Sequence, residues 1–410
     1  RKACYEPSLN CISKINKHML PEVNPPSNRF GIYIHWPFCV SKCPYCDFNS
    51  HVNKDIDANK WKQAYISELR WMARLYQEKA KNPTEVHSVF FGGGTPTLMP
   101  VFIIEEILET IETLFPLASD IEITAEANPS STETQKLASF KSAGVNRISV
   151  GAQSLSPKTL NFLGREHSNQ DIFDALNTAK GLFNHVSADF MYGIPEQTAS
   201  GWTNELEQIL QLGLSHISAY QLTIEPGTQF YTRSNKGEVL TCSEEIMADL
   251  YELTTNMISK KGFELYEVSN FAKPDSYCRH NLIYWNSQDW LGIGPGAHGR
   301  FTLPENRRWH SQTRRSPEGW LSAIKNNQHG IDIHKEEDEA EFVREIFIMG
   351  LRLSSGINMP DWLFETEKLI NLTWLKQFEE DNLINLHKNH IKVTPKGRLH
   401  LNSIISKLLN

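Results

Sequence analysis

The first half of the chain alternates between strand-like apolar runs and segments with the periodicity of amphipathic helices. The apolar runs predict six strands: Arg29–Trp36, Val86–Phe91, Asp120–Ala127, Arg147–Gly151, His185–Tyr192 and His216–Leu222. The periodic segments predict the helices between them: Trp61–Gln77, Phe102–Phe115, Thr132–Ala143, Asn169–Leu182 and Thr203–Leu212. Six βα units of this kind predict an α/β fold whose parallel sheet curls into a full or partial barrel, with polar strand-end segments at one mouth.

The pattern changes beyond about residue 240. A helix is predicted over Cys242–Lys260, and a glycine-rich, aromatic-rich stretch covers Tyr266–Arg300. From Asp338 the sequence resembles a small, mostly helical domain with a closing hairpin, similar to a winged helix, which we interpret as a packing or docking module. The predicted domains are a poorly ordered N-terminal extension (1–28), the barrel (29–240), a barrel extension (241–335) and the C-terminal domain (336–410).

Composition and charge narrow the class of function. The 410 residues are 40% hydrophobic, and no run approaches the roughly 20 apolar residues that cross a bilayer, so we expect at most peripheral membrane contact. A net charge of -7 offers no broad basic surface, so nucleic acid is not an expected partner. The seven cysteines do not resemble a disulfide scaffold, and residues 1–18, which precede Met19, lack a secretory segment. These features indicate a reducing compartment such as the cytoplasm; whether residues 1–18 are native stays open.

Cys39, Cys43 and Cys46 form a C-x3-C-x2-C pattern directly after the first predicted strand. Three thiolates can hold a [4Fe–4S] cluster by three of its irons and leave the fourth iron without a protein ligand. Radical S-adenosylmethionine (SAM) chemistry needs such an open iron, because the methionine amino and carboxylate groups chelate it. A zinc site is the alternative, with His35 or His51 as the fourth ligand.

Several further motifs follow predicted strands. They are Gly92-Gly93-Gly94-Thr95-Pro96-Thr97, Glu126-Ala127-Asn128-Pro129, Gly144-Val145-Asn146-Arg147-Ile148-Ser149, Gly151-Ala152-Gln153-Ser154, Leu163-Gly164-Arg165 and Asp189-Phe190-Met191-Tyr192-Gly193-Ile194-Pro195. Together with the cysteine loop they resemble the radical SAM family that contains oxygen-independent coproporphyrinogen III oxidase and the HemW-type haem chaperones. The resemblance covers the chain from about Phe30 to its end. It implies a partial (β/α)6 barrel that binds a [4Fe–4S] cluster through the three cysteines and uses SAM as a second cofactor.

The resemblance also implies which side chains hold SAM. An arginine suits the carboxylate of SAM, acids and amides suit its ribose hydroxyls, and glycines let the backbone approach the ligand without a Cβ. The implied contacts are Tyr33 and Tyr45 for the cluster and adenine, Gly93, Gly94 and Thr95 for the methionine moiety, Glu126, Gln153, Arg165 and Asp189 for the amino, carboxylate and ribose groups, and Thr223 for the adenosine. Each charged residue also has a plain alternative role, as a salt bridge at a strand end.

Two places distinguish the branches of this family. The oxidase resemblance requires a further cysteine two residues after Cys46, where this chain has Phe48. The segment from Cys278 to Trp285 resembles the H-N-x-x-Y-W haem-binding signature of the chaperone branch, and the glycine-rich run Gly292–Gly299 is also typical of it. The implied haem-binding residues are His280 as axial ligand, Asn281, Tyr284 and Trp285, with Cys278 and then His298 as alternative ligands. A hydrogen-bonded structural histidine is the other interpretation of the signature histidine.

Three functions follow from these observations, and the first is favoured. A haem chaperone would bind haem and transfer it to acceptor haemoproteins, for which respiratory-chain subunits are candidates. The second is an oxygen-independent coproporphyrinogen III oxidase, which performs radical decarboxylation; the third is a zinc-bearing interaction module. The expected location is the cytoplasm, or the mitochondrion in a eukaryote. The sequence leaves open whether SAM is cleaved and whether the protein forms a homodimer.

Overall fold

A computed structural model describes residues 29–53, 55–359 and 370–409, so the predicted N-terminal extension (1–28) lies outside the described residues. Within these residues the main feature is one twelve-stranded sheet with the order β14-β13-β12-β11-β1-β4-β5-β6-β7-β8-β10-β9. The strands are β1 Phe30–Trp36, β2 Phe38–Cys39, β3 His51–Val52, β4 Val86–Gly93, β5 Leu117–Ala127, β6 Arg147–Gln153, β7 His185–Tyr192, β8 His216–Gln221, β9 Glu264–Leu265, β10 Asn270–Ala272, β11 Asp289–Ile293, β12 His298–Thr302, β13 Arg308–Thr313, β14 Ile331–Glu337, β15 Ile357–Asn358, β16 Ile384–His387 and β17 His390–Val393.

Strands β1 and β4 to β8 pair in parallel, which confirms the predicted six-stranded partial barrel. Their apolar positions pack against the surrounding helices in one large core. The helices of this part are Ala58–Lys79, Val101–Leu114, Ser131–Thr134, Leu137–Ser142, Pro157–Phe162, Asn169–Leu182, Ala199–Leu210, Gln229–Ser234 and Glu244–Ser259. Side-chain caps start several of them, including Asp57 and Ser168, the latter in a reciprocal capping box with Asp171.

The single helix predicted over Thr132–Ala143 is wrong, because the segment forms two short helices. Between them the backbone N–H of Lys136 donates to Glu133 O, one residue short of the α-helical spacing. The Glu133 side chain is buried and accepts hydrogen bonds from Thr97 Oγ1 and from the backbone N–H of Asn128. The first short helix therefore serves to aim a carboxylate at the loop after β5.

Residues beyond 240 extend both edges of the same sheet. On one side β11 runs parallel to β1 and is followed by the antiparallel strands β12 to β14, and on the other side β10 and β9 continue from β8. The helix Arg279–Trp285 contacts β1, β4 and β11, and Pro317–Asn327 contacts the helix Ala58–Lys79. The stretch predicted as a barrel extension is thus built into the barrel sheet.

The C-terminal part has a hydrophobic cluster of its own, formed by residues between Val343 and Leu408. It contains the three-stranded sheet β15-β17-β16. Its helices are Glu339–Gly350, Leu372–Glu380, Pro395–Arg398 and Leu401–Leu408. This helical unit with a hairpin agrees with the predicted winged-helix-like pattern. Throughout the described ranges, no helix is both long enough and apolar enough to cross a membrane.

Glu68 is a fully buried carboxylate that fastens the sheet extension to the first long helix. Its Oε2 accepts hydrogen bonds from the Gly294 N–H (2.8 Å) and from Trp320 Nε1 (3.0 Å), and its Oε1 accepts one from the Gly330 N–H (2.6 Å). Burial raises its pKa to about 7, and the three donors oppose that shift. The carboxylate thus joins three segments that are far apart in sequence.

We expect Glu68→Gln to lower the free energy of unfolding by about 2 kcal/mol, because the amide nitrogen leaves at least one buried N–H donor unpaired. Chemical denaturation monitored by circular dichroism measures the change. The matched control is Glu207→Gln, on the exposed face of the helix Ala199–Leu210. Equal stability of the Glu68 variant and the unmodified protein would contradict this role.

Candidate active site

A cavity of about 470 Å³ opens at the carboxyl ends of the barrel strands, where the sequence predicted the chemistry to collect. All three motif cysteines line it, as do nine of the ten residues predicted to hold SAM. Those nine are Tyr45, Gly93, Gly94, Thr95, Glu126, Gln153, Arg165, Asp189 and Thr223. The structure therefore brings the separate strand-end motifs together around one space.

The cysteine loop leaves β1 and is closed at its base by a short parallel ladder. Phe38 and Cys39 of β2 pair with His51 and Val52 of β3. The three thiols are free and half-buried, so they are available to a ligand at the cavity wall. Burial raises the pKa of Cys39 and of Cys46 above the ordinary thiol value.

Each thiol has a polar neighbour. Thr95 Oγ1 lies 3.5 Å from Cys39 Sγ, Arg165 Nη1 donates to Cys43 Sγ at 3.4 Å, and Ser50 Oγ lies 3.8 Å from Cys46 Sγ. The hydroxyls of Thr95 and Ser50 oppose the rise in pKa that burial causes at Cys39 and Cys46. Three soft sulfur ligands on one wall of a cavity fit a cluster with one open iron.

The two histidines considered as a fourth zinc ligand do not line this cavity. His35 is buried, with Nδ1 3.1 Å from the Tyr33 hydroxyl and Nε2 2.9 Å from the Asn49 carbonyl oxygen. His51 Nε2 lies 3.2 Å from Asn49 Oδ1. Both imidazoles are engaged in holding the base of the loop, which argues against a zinc site of the predicted composition.

The glycine run after β4 is constrained by the protein itself as well as by any ligand. Gly93 has φ +112°, and a Cβ there would lie 2.6 Å from the ring of His35. A Cβ on Gly94 would lie 2.6 Å from the Phe38 carbonyl oxygen, because the Gly94 and Thr95 N–H groups donate to the entry of the cysteine loop. The expected reason for the glycines, space for a ligand, is therefore incomplete, because a Cβ at Gly93 would meet the His35 ring on β1 and one at Gly94 would meet the entry of the cysteine loop.

Two acidic side chains, Glu126 and Asp189, line the cavity and interact electrostatically. Glu126 accepts a hydrogen bond from the Gly93 N–H at 3.2 Å, and Asp189 accepts one from Ser149 Oγ at 3.2 Å. Burial raises the pKa of Glu126 to about 8, with a contribution from the negative charge of Asp189. Burial also raises the pKa of Asp189 to about 6. The pair suits a cationic ligand, whose charge would restore both carboxylates to the ionised form.

Arg165 is fixed in front of the cysteine loop by neighbours that the sequence did not single out. Its Nη2 donates to Asn128 Oδ1 at 2.6 Å and to the Gly151 carbonyl oxygen at 3.1 Å. Asn128 Nδ2 in turn donates to Thr95 Oγ1 at 3.1 Å and to Glu133 Oε1 at 3.4 Å. Asn128 belongs to the motif after β5, so its motif was recognised although its role was not.

The aromatic residues of the predicted SAM site divide between two locations. Tyr45 lines the cavity and packs near Phe230. Tyr33, the one predicted residue outside the lining, lies deeper in the barrel between His35 and His280. Gln153 lines the cavity with φ +67°, a conformation that turns the chain sharply after β6. Thr223 is exposed at the rim.

The predicted haem signature lies on the short helix Arg279–Trp285, which packs inside the barrel sheet away from the cavity. His280 is 1% exposed and stacks on Phe90. Its Nδ1 is 2.8 Å from Ser88 Oγ and its Nε2 is 2.7 Å from the Tyr284 hydroxyl. Burial lowers its pKa to about 3, so the imidazole is neutral. In this arrangement both ring nitrogens are occupied, and iron can reach one only after a hydrogen bond opens.

The other signature residues lie on this helix or at its start. Asn281 Nδ2 donates to the Tyr266 hydroxyl at 3.4 Å, and Trp285 is half-buried. Cys278 is buried with its Sγ 3.6 Å from Glu122 Oε1, and burial raises its pKa to about 12. Such a thiol is a poorer ligand than the neutral imidazole, because metal binding requires the thiolate. His298, the remaining alternative, is exposed on β12.

Comparison with known proteins agrees with this geometry. A sequence model of the radical SAM superfamily matches residues 33–209, and a model of the HemN C-terminal domain matches residues 338–400. The heme chaperone HemW of Escherichia coli (strain K12) is 34% identical over 384 residues, which cover 92% of this chain and 98% of that protein. The radical S-adenosyl methionine domain-containing protein 1, mitochondrial, of Bos taurus is 34% identical over 400 residues, which cover 94% of this chain and 88% of the relative.

Among solved structures, coproporphyrinogen III oxidase (HemN) from Escherichia coli superimposes with a TM-score of 0.77 at 22% identity, covering 93% of this chain and 90% of that one. At that identity the match establishes the shared fold. Membership of the radical SAM superfamily implies a [4Fe–4S] cluster and SAM as cofactors, and the donors around the cavity fit both. The sequence relatives, the two matching domain models and the fold agree: the chain belongs to the HemW-type branch of the radical SAM superfamily.

Proposed function

We propose that this protein is a haem chaperone that holds a [4Fe–4S] cluster through Cys39, Cys43 and Cys46 and binds SAM beside it. The observation that carries the cofactor assignment is the convergence of three free thiols and the polar strand ends on one cavity. The bound cluster would supply an open iron for the methionine end of SAM. The haem part of the proposal rests on relatives named heme chaperone HemW that share 34% identity over nearly the whole chain.

The protein's own side chains would orient SAM. Arg165, held by Asn128 and the Gly151 carbonyl, presents a fixed cation for the ligand carboxylate. Glu126 and Asp189 offer acceptors for the amino group and the ribose hydroxyls. Tyr45, between Cys43 and Cys46 in the cysteine loop, would cover the adenine. The family resemblance implies these roles, and the positions of the side chains around the cavity support them.

We expect the affinity for SAM to rise as the pH increases from about 6 to about 8. SAM carries a permanently cationic sulfonium, so ionised Glu126 and Asp189 bind it better than the protonated acids. Their pKa values of about 8 and about 6 define this window, and affinity should fall up to about tenfold per pH unit below a pKa. Isothermal titration calorimetry of the anaerobically reconstituted protein at several pH values measures the effect.

Glu126→Gln should abolish the increase in SAM affinity near pH 8, because the pKa of Glu126 is about 8. Glu112→Gln, on the exposed side of the helix Val101–Leu114, is the matched control and should keep it. A flat pH profile in the unmodified protein would contradict the assignment of the acidic pair to the SAM site.

Phe48 favours the chaperone over the oxidase. It occupies the position where the oxidase resemblance requires a further cysteine, it lines the cavity, and the residue is 58% exposed. An exposed phenylalanine supplies no ligand or proton, so the chemistry that the extra thiol would serve has no substitute at this position. The oxidase interpretation therefore rests on the shared fold, which does not determine the reaction.

The test of the proposed function is a spectroscopic titration of the reconstituted protein with haemin, with and without SAM, followed by transfer to an apo-haemoprotein. One haem per chain and its transfer are expected. The same preparation, given SAM, a reductant and coproporphyrinogen III, should release no carbon dioxide. Rapid decarboxylation would replace the chaperone by the oxidase, and absence of haem binding would reject the chaperone.

The proposal extends to partners and location. The acceptors are haemoproteins, for which respiratory-chain subunits are candidates, and a homodimer is the proposed assembly. The cytoplasm is the proposed location in a bacterium. In a eukaryote it would be the mitochondrion, the compartment that the name of the Bos taurus relative gives for that protein.

A further inference from the structure

Asn49 lies three residues after the last motif cysteine and joins four partners at the exit of the cysteine loop. Its Nδ2 donates to the Pro295 carbonyl oxygen and to the Arg315 carbonyl oxygen, both at 2.9 Å. Its own carbonyl oxygen lies 2.9 Å from His35 Nε2, and its Oδ1 lies 3.2 Å from His51 Nε2. One residue thus connects the cysteine loop to β1 through its backbone carbonyl, and to β3 and two loops of the sheet extension through its side-chain amide.

The surrounding chain is shaped to receive this side chain. Gly296 has φ +78°, and a Cβ there would lie 2.5 Å from Asn49 Nδ2. Gly294 has φ +104°, and its missing Cβ leaves room for the His35 carbonyl oxygen, which also accepts a hydrogen bond from Tyr65 (2.6 Å). Gly296 therefore leaves room for the Asn49 side chain, and Gly294 leaves room for the carbonyl of His35, whose ring contacts Asn49. This run was recognised in the sequence as typical of the chaperone branch, but no role was predicted for its glycines.

The next residue carries the connection to sulfur. Ser50 is buried, its N–H donates to the Phe48 carbonyl oxygen at 2.7 Å, and its Oγ lies 3.8 Å from Cys46 Sγ. A displacement of Asn49 would therefore move the hydroxyl that contacts this thiol. Partners behind metal ligands orient them and tune the metal, with typical effects of 10- to 100-fold on affinity.

We propose that Asn49 is a positioning residue for the cluster: its amide anchors the cysteine loop to the glycine-rich run and thereby sets the placement of Cys46. The inference rests on the proposed cluster site and adds a residue outside the cavity lining. Aspartate at this position has nearly the same shape, but its ionised carboxylate cannot donate and would face two carbonyl oxygens. Asn49→Ala removes the donors without adding charge.

The experiment compares Asn49→Asp and Asn49→Ala with Asn53→Asp after anaerobic reconstitution. Asn53 lies in the same segment, and its Oδ1 accepts a hydrogen bond from the Asp55 N–H, an acceptor role that aspartate retains. Loss of absorbance near 400 nm under a ferrous chelator gives the rate of cluster loss, and EPR with and without SAM gives the geometry at the iron. We expect cluster loss about tenfold faster in both Asn49 variants, an altered EPR spectrum, and the far-ultraviolet circular dichroism of the unmodified protein.

Cluster loss at the rate of the Asn53 variant, together with the EPR spectrum of the unmodified protein, would overturn the inference. Loss of the far-ultraviolet circular dichroism in both Asn49 variants would also overturn it, because Asn49 would then support the fold and not the loop. Failure of the proposed function has a different signature, since the unmodified protein itself would then hold no iron–sulfur cluster or bind no haem.

Discussion

Anaerobically reconstituted protein should contain about four irons and four sulfides per chain, and replacement of Cys39, Cys43 and Cys46 by alanine should remove nearly all of both. The three thiols supply every protein ligand that the cavity offers to the cluster in the proposed arrangement. A single replacement should already abolish the brown chromophore, because two thiolates do not retain the cluster. Iron and sulfide analysis with visible absorption measures the loss.

Cys242→Ala is the matched control for this prediction. The Cys242 thiol contacts the Ile194 carbonyl oxygen at 2.8 Å and does not line the cavity, so its removal should leave the iron content unchanged. Full iron in the triple variant, or zinc alone in the unmodified protein, would reject the cluster. Melting temperatures of all variants separate loss of the cofactor from loss of the fold.

Much of the fold was accessible from the sequence because the signals were local and periodic. Strand β7 and the helix Asn169–Leu182 were predicted residue for residue, since each is an uninterrupted pattern with clear ends. Strand β6 extends to Gln153, two residues further than predicted, because an irregularity in its pairing with β7 carries the strand into the motif that follows it. Apolar periodicity did not predict the break between the helices Ser131–Thr134 and Leu137–Ser142.

The sequence predicted which residues line the active site better than it predicted the contacts between them. Parallel strands deliver their carboxyl ends to one mouth, so motifs placed after strands identify the lining. The contacts among Arg165, Asn128 and Glu133 depend on side-chain directions from three different connections. The sequence also did not reveal what surrounds Gly93. A Cβ at this position would lie nearest to His35 on β1, and sequence spacing does not show that contact.

The histidine of the predicted haem signature shows this limit most clearly. The sequence placed His280 among aromatic residues, but its partner Ser88 is 192 positions away along the chain. The sequence allowed two roles for His280, a haem ligand or a structural histidine. In the structure His280 makes the hydrogen bonds of a structural histidine. A haem carrier must release its haem. A histidine that can exchange between a hydrogen bond within the protein and a bond to the iron is one way to keep haem transferable. The proposed axial role therefore requires the helix Arg279–Trp285 to open.

Two substitutions test that role in opposite directions. His280→Ala should weaken haem binding at least about tenfold and shift the Soret band, because an axial imidazole contributes directly to affinity and ligand field. Tyr284→Phe should strengthen haem binding about fivefold, because it removes the hydroxyl that competes with iron for His280 Nε2. The loss of that hydrogen bond should make the free energy of haem binding more favourable by about 1 kcal/mol. Anaerobic haemin titration followed at the Soret band measures both.

The unmodified protein should show this His280-dependent haem affinity without change between pH 6 and pH 8, since the pKa of about 3 keeps the imidazole neutral throughout that range. The same lowered pKa means that the unfolded chain takes up a proton below about pH 6.5 and the folded chain does not, so His280 contributes stability that is lost as the pH falls.

His334→Ala, at an exposed position of β14, is the control and should leave the Soret band unchanged. Binding that is indifferent to His280 would move the axial ligand elsewhere, with Cys278 next. Weaker binding in Tyr284→Phe alone would instead assign the iron to the tyrosine, whose burial raises its pKa and so disfavours the phenolate that such a ligand needs.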